Sequence, residues 1–423
     1  MSAAGTAIIE WDVVVIGGGP AGSTAATTLA KAGRRVLVLE KSRFPRFHIG
    51  ESLLPYNRAI FDKLGVWEKV SSSGFMVKRG AQFWMGDASR HNRLDFSRGS
   101  FTEYPESLQV ERARFDQILL DHARSSGAEV REESLVLDHR VESDHIALRY
   151  RTVDGHEARA TARFLVDASG LSNHTANLES LREYYPGHRK IAIFAHFRGV
   201  DMPAGEETGD IVIIRRENSW FWMIPLDHER TSVGLVLDKA DFQTMKREPA
   251  EVFHEAVENT PAARMRFDHA EALGPMHVAV DFSYHNRSLV SPRVVRVGDA
   301  SGFIDPIFSS GVMLAMTSGM EGAKAVDDAL RQSRPLTAAL RRYERETWRN
   351  VGLYWRFIGN FYKLHFAQLF FQPVNKHRMV CAINSVLAGR TRLPLAVRWR
   401  LAVFFLLGRL NRHLPVVPRI VVR

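Results

Sequence analysis

The chain has 423 residues, is 45% hydrophobic and 25% charged, and carries a net charge of +10 and a single cysteine, Cys381. That length exceeds one simple core and predicts two or three domains of an ordinary globular protein; one cysteine excludes a disulfide framework within the chain and a thiolate metal cluster. No apolar run approaches the ~20 residues that cross a membrane. The longest candidate, Leu401 to Leu407, is flanked by Arg400 and Arg409, and MSAAGTAIIE at the start has no signal-peptide pattern, so a cytoplasmic protein is expected.

The first elements are the most informative. Val13 to Ile16 is a buried strand, an Ala/Leu-rich helix runs from about Pro20 to Lys31, and a second apolar strand, Val36 to Leu39, ends in Glu40. Between strand and helix, Gly17, Gly19 and Gly22 stand in G-x-G-x-x-G spacing. Each glycine has a task in binding a dinucleotide. Gly17 permits a tight turn, Gly19 lets a pyrophosphate approach the backbone, and Gly22 lets the helix pack on the strand. The helix start offers N–H groups and a partial positive charge to phosphate. Glu40 can accept hydrogen bonds from a ribose, and its charge argues against a 2′-phosphate there.

After Glu40, KSRFPRFHIGESLLP is a loop marked by Pro45, Gly50 and Pro55, followed by a helix with the apolar face Leu53, Ile60, Phe61, Leu64. Lys78 precedes a strand-like stretch, Ala81 to Met85. Leu108 to Val110 is a strand end before a helix from about Arg112 to Ser125, closed by Gly127. Residues 129–167 alternate like a meander around the turn Asp154-Gly155. Regularly spaced strands from Lys190 to Leu237 predict a separate antiparallel sheet. Val294 to Val297 leads into GDASGFIDP and a long helix opened by Gly311, and helices then dominate. The expected class is α/β with α+β elements. It comprises a discontinuous Rossmann-like dinucleotide-binding domain (1–77, 105–180 and 285–345), an inserted antiparallel-sheet substrate domain (78–104 and 181–284), and a basic, mostly helical C-terminal region (346–423).

That last region supplies the charge excess. No Asp or Glu follows Glu346, against about a dozen Lys and Arg. No nucleic-acid module is readable. Arg398, Arg400, Arg409 and Arg412, interleaved with Leu and Phe, predict a docking surface for an acidic protein or an anionic membrane surface.

The glycine motif with its acidic second strand, Arg112 opening a helix, and GDASGFIDP (Gly298 to Pro306) together resemble the flavoprotein monooxygenases of the hydroxybenzoate-hydroxylase fold over most of residues 11–330. The resemblance implies FAD, held by Gly17, Gly19, Ala21, Gly22, Glu40, Lys41, Ile49, Arg112, Asp299, Gly311 and Val312. Asp299 would meet the ribityl chain and Arg112 the pyrophosphate side. Three features narrow it. Trp220, Trp222, Ile224 and Pro225 match the W-x-W-x-I-P signature of flavin-dependent halogenases, although two Trp one residue apart also read as a same-face core pair on a strand. GESLLP (Gly50 to Pro55) and PIFSSGV (Pro306 to Val312) look like the phenol- and pyrrole-type members, and Lys78, not Arg79, fills the family's catalytic K-x-G position.

One departure matters. Tryptophan-type halogenases carry a Glu where this chain has Phe308, so assistance by a carboxylate at that point is absent and substrates activated by their own ring heteroatom are favoured. What the resemblance implies is that FADH2 and O2 oxidise chloride or bromide to hypohalous acid, that Ser310 and Gly311 form the halide site, and that Lys78 delivers the halogen to an electron-rich aromatic of secondary metabolism, free or tethered to an acidic carrier protein. It also implies a separate flavin reductase, since no second dinucleotide fingerprint appears. No metal site is expected. A flavin hydroxylase or reductase of the same fold, and a non-catalytic flavin-binding scaffold, are the competing readings.

Overall fold

The computed structural model describes residues 9–98, 101–372 and 376–419; residues 1–8 of the N-terminal reading lie outside them. Trp11–Ile16, Pro20–Lys31 and Val36–Leu39 form the expected strand, helix and strand. Their β-branched residues are buried on both faces, as parallel strands between helical layers must be. Trp11–Ile16 lies in an eight-stranded sheet, parallel to Val36–Leu39 on one side (Val13 opposite Val36) and to Glu157–Asp167 on the other (Val15 opposite Val166). Val294–Arg296 extends the parallel order beyond Glu157–Asp167, and Glu129–Arg131 extends it beyond Val36–Leu39. The meander is present as Leu135–Val141, Ile146–Arg151 and Glu157–Asp167, the last two joined through Gly155 at φ +79°.

A second eight-stranded sheet carries Lys190–Arg198, Arg230–Asp238, Trp220–Pro225 and Ile211–Arg215 in antiparallel order, with Gly80–Met85 parallel to Ile211–Arg215 and His91–Asp95 beyond it. Two expectations change in detail. Lys78 is not on that sheet: Met76–Lys78 pairs with Ser107–Gln109 in a separate two-stranded ribbon. Leu53 is not on the helix either. The helix is Asn57–Leu64, and Leu53, held by its N–H to the Leu108 carbonyl (3.0 Å), packs against Ile60, Phe61 and Leu64 from the preceding segment.

The helix Gly311–Gln332 packs on Pro20–Lys31, and Ala338–Phe361 returns alongside it. Leu364–Phe370, Met379–Leu387 and Leu395–Leu410 complete the C-terminal region. One apolar core runs from the second sheet (Phe83, Ile213, Trp222) through Ile307 and Phe308 into Phe357, Phe361, Phe366 and Phe404 of these helices. The helices therefore form the back wall of the second sheet. No described helix is long and apolar enough to cross a membrane.

Candidate active site

A cleft of about 530 Å³ lies between the two sheets. The glycine turn builds its floor. Gly17 has φ +96°, and a Cβ on Gly22 would lie 1.9 Å from the Gly17 carbonyl oxygen, so both positions need glycine for backbone reasons. Gly19 differs: its φ is −68°, and a Cβ there would point toward the cleft with only the Arg46 guanidinium near, at 3.5 Å. A phosphate can therefore approach this backbone, and the helix start behind it favours negative charge.

Glu40 is buried, and its two oxygens accept from the backbone N–H groups of Gly18 (2.7 Å) and Ser42 (2.8 Å). It thus ties the second strand to the glycine turn, and it lines the cleft together with Lys41 and Ala21. Arg112 lies on the cleft wall, but its guanidinium is already committed: Nε and one terminal nitrogen donate to Asp116 (2.7 and 2.9 Å), and the other terminal nitrogen donates to the Ile49 carbonyl (2.6 Å). It holds the Ile49–Gly50 loop in place. The cation nearest the glycine turn is Arg46, which the sequence reading missed. Arg46 lies 4.5 Å over the Phe44 ring and 3.3 Å from Asp116. Its only sequence signal is a basic residue in the loop after Glu40.

Asp299, Gly311 and Val312 come to the same cleft from the opposite side. Burial pushes the Asp299 carboxyl up to about 6, with Arg112 opposing. Ser310 is buried and opens toward a second groove behind the cleft, which it shares with Gly311 and Asp299. Asp305 shapes the Pro306–Phe308 turn before it by accepting from the Ile307 N–H (3.0 Å), and Ser309 takes φ +54° to bring the chain into the long helix. Phe308 is core: it packs against Phe83, Phe357 and Phe361 at ring distances of 5.7–6.3 Å.

Trp220, Trp222 and Ile224 form the apolar wall facing the glycine turn, while Pro225 lies further along the same buried strand. The Trp rings are 5.9 Å apart and buried, as a same-face core pair would be, and both also line the cleft. Trp222 donates to Ser232 Oγ (3.3 Å) and Trp220 to Tyr362 Oη (2.8 Å); Tyr362 in turn donates to Asp305 (2.9 Å).

Lys78 is enclosed. It is 1% exposed, and its ammonium donates to Ser52 Oγ (2.9 Å) and the Leu53 carbonyl (3.0 Å), with the Phe96 ring 5.5 Å away. Burial lowers its pKa to about 7, opposed by Asp210. Ser52 lines the cleft and Lys78 does not, so the ammonium stands one layer behind the wall. Arg79 is half exposed and reaches toward Glu106. Beside Ser52, the buried Glu51 accepts from His196 (2.8 Å), and that bond holds the histidine's pKa above its usual value.

The glycine turn open at Gly19, the acidic strand end and the flanking cations fit a flavin dinucleotide, and the apolar wall fits an aromatic ring system. The matching family is the FAD binding domain, over residues 10–351. The chain is 30% identical over 392 residues to the 1H-pyrrole-2-carbonyl-[peptidyl-carrier protein] chlorinase of Pseudomonas fluorescens, covering 88% of this chain and 87% of that protein. It is 34% identical over 364 residues to the tryptophan 2-halogenase of Chondromyces crocatus (84% and 68%). The solved myxobacterial chondrochloren halogenase CndH superposes with a TM-score of 0.78 at 30% identity, over 94% and 97% of the two chains. The chain belongs to the flavin-dependent halogenases, FAD-binding oxidoreductases.

Proposed function

We propose that the protein uses FADH2, O2 and chloride or bromide to halogenate an electron-rich aromatic of the phenol or pyrrole type in secondary metabolism. The observation that carries this is the buried Lys78 ammonium hydrogen-bonded to Ser52 on the wall of a cleft that Trp220 and Trp222 close from the other side. Bound reduced FAD with O2 supplies the oxidising equivalents that turn halide into hypohalous acid. The chain's own residues do the rest. Gly17, Gly19, Gly22, Glu40 and Arg46 seat the dinucleotide; Arg112 and Ile49 fix the loop over it. The start of the Gly311 helix, with Ser310, offers N–H groups to a halide. Trp220, Trp222 and Ile224 keep water from the apolar side.

Lys78 would meet hypohalous acid at its Nζ in one of two ways: as the ammonium it donates a hydrogen bond to the acid, and as the neutral amine it takes the halogen as the O–halogen bond breaks, the departing hydroxide leaving as water with a proton from the amine. A pKa near 7 leaves both forms populated at neutral pH. Ser52 Oγ stands between Nζ and the cleft, so this side chain must turn aside for the reagent to reach the lysine. With Phe308 where the tryptophan-type members carry a Glu, the ring to be halogenated must supply its own activation, which a phenol or pyrrole does. A separate flavin reductase supplies FADH2.

The test is mass spectrometry of products from the holoprotein, a flavin reductase and halide with a panel of phenols and pyrroles, each free and carrier-tethered. A halogenated product that requires halide is expected. An oxygenated product formed equally without halide would make the protein a hydroxylase.

A further inference from the structure

The helix Leu395–Leu410 has an uncovered apolar side. Val397, Leu401, Phe404 and Phe405 are buried against the neighbouring helices, with Phe404 4.9 Å from Phe366 and Phe405 4.9 Å from Phe357. On the other side, Leu395, Trp399, Leu406 and Leu410 are 77, 46, 53 and 41% exposed. Their spacing of four, seven and four residues aligns them in one stripe about 22 Å long at 1.5 Å per residue, and Leu414, 64% exposed, follows just past the helix. Single exposed leucines need no explanation. A helix that is apolar on the side facing water as well as on the side facing the core needs a cover.

Charge indicates what that cover is. Arg398 and Arg409 lie along one edge of the stripe. Arg356, an exposed residue, lies 3.9 Å over the Phe405 ring, and partial loss of water there together with the nearby Arg409 lowers its pKa. Among the described residues, none of Arg356, Arg398, Arg409 and Arg412 forms an ion pair, and no acid follows Glu346 in the chain. Arg400 is different: it donates to the His377 and Ala396 carbonyls and lies over the Phe101 and Trp399 rings, so it belongs to the fold and not to the surface expected from sequence.

We infer that this face seats the protein on an anionic lipid bilayer, with the Leu395–Leu410 stripe in the acyl boundary and Arg356, Arg398, Arg409 and Arg412 at the lipid phosphates. A second copy of the chain would set arginine edge against arginine edge. A small acidic protein would answer the arginines but not the length of the apolar stripe. The groove behind the cleft adds to this. It is about 2080 Å³ and is lined by Leu395, Arg398 and Trp399 as well as by Ser310 and Gly311. A bilayer on this face would abut a path to the candidate site.

The experiment is co-sedimentation of the holoprotein with phosphatidylcholine vesicles and with vesicles containing phosphatidylglycerol, at low and high salt. Wild type is expected to bind the anionic vesicles at least tenfold better, and to lose that advantage at high salt. Trp399→Glu with Leu406→Glu, and separately Arg398→Glu with Arg409→Glu, should each reduce binding at least tenfold at unchanged flavin content. The single variant Leu395→Ser provides a milder check should a double variant fold poorly. No binding of wild type to anionic vesicles at low salt overturns the inference, as does binding that the Trp399/Leu406 pair does not alter. Dimerisation in solution abolished by that pair, or capture of an acidic carrier protein in place of vesicles, would assign the face to another occupant. No turnover is measured, so the result stands apart from the halogenase reading.

Discussion

Gly19, Glu40 and Lys78 each carry a different kind of load, and substitutions separate them. Gly19 has ordinary backbone angles and an open Cβ direction, so Gly19→Val should fold while its side chain fills pyrophosphate space. We expect purified protein with little flavin, read from the absorbance ratio; a normal ratio would remove the glycine turn from the cofactor site. Glu40→Ala is a poorer test than the sequence suggests, because it strands the buried N–H of Gly18 at about 1–3 kcal/mol and also removes the acceptor of the partly buried Ser42 N–H. Glu40→Gln retains an acceptor and removes the charge. Lys78→Met should bind FAD and consume oxygen but form almost no halogenated product, whereas Arg79→Met, at a half-exposed ion pair, should change stability by less than about 1 kcal/mol and keep substantial activity. Full halogenation by Lys78→Met at matched flavin content would take Lys78 out of the mechanism. Lys78 also sets a pH dependence. Its folded pKa, about 7, lies below the unfolded 10.5, so its contribution is full above about pH 10.5 and is lost as pH falls through 7. The melting temperature of wild type relative to Lys78→Met should drop by several degrees from about pH 10 to about pH 7; a difference independent of pH would show that burial does not depress this lysine.

At the scale of elements, the strand Trp220–Pro225, the turn Pro306–Phe308 and the end of the helix Ala338–Phe361 are joined by one chain of hydrogen bonds, from Trp220 Nε1 to Tyr362 Oη and from Tyr362 Oη to Asp305. Asp305 also accepts from Ile307 N–H and lies 3.2 Å from His188 Nε2. Tyr362→Phe leaves the buried Trp220 N–H without its acceptor and should cost about 1–3 kcal/mol, measurable by denaturant titration with flavin content as the control; an unchanged midpoint would show the bond carries no net stability. None of this was legible beforehand, because Tyr362 follows Trp220 by more than a hundred residues and no local pattern marks the pair. The local patterns were legible: the glycine turn, the meander with its Asp154-Gly155 turn and the helix opened by Gly311 all follow from periodicity and turn chemistry. The ribbon Met76–Lys78 was not, since three residues are too few for a period and its partner, Ser107–Gln109, lies across an intervening hairpin. Arg46 was missed for a related reason: tertiary placement, not sequence context, sets it over Gly19.

At the scale of the whole molecule, the cleft joins both sheets and the helix Gly311–Gln332. Ile16 and Leu39 come from the first sheet, Trp220 and Trp222 from the second, and Gly311 and Val312 from the helix that packs on Pro20–Lys31. The second sheet and the C-terminal helices share one apolar core through Phe308, so a ligand in the cleft is linked to that core as well. Binding to the folded state alone stabilises by RT ln(1 + [L]/Kd), about 2.7 kcal/mol at a hundredfold excess over Kd. Unfolding entropy of about 2.1 cal/mol/K per residue turns that into a rise of about 3 °C for a chain of this length. Adding FAD to flavin-depleted protein should therefore raise the melting temperature by about that amount in a single transition, and Gly19→Val should abolish the rise. If calorimetry instead resolves two transitions and FAD moves only one, the cleft is held by the first sheet alone, and the shared wall formed by Trp220, Trp222 and the Gly311 helix does not couple the parts of the molecule.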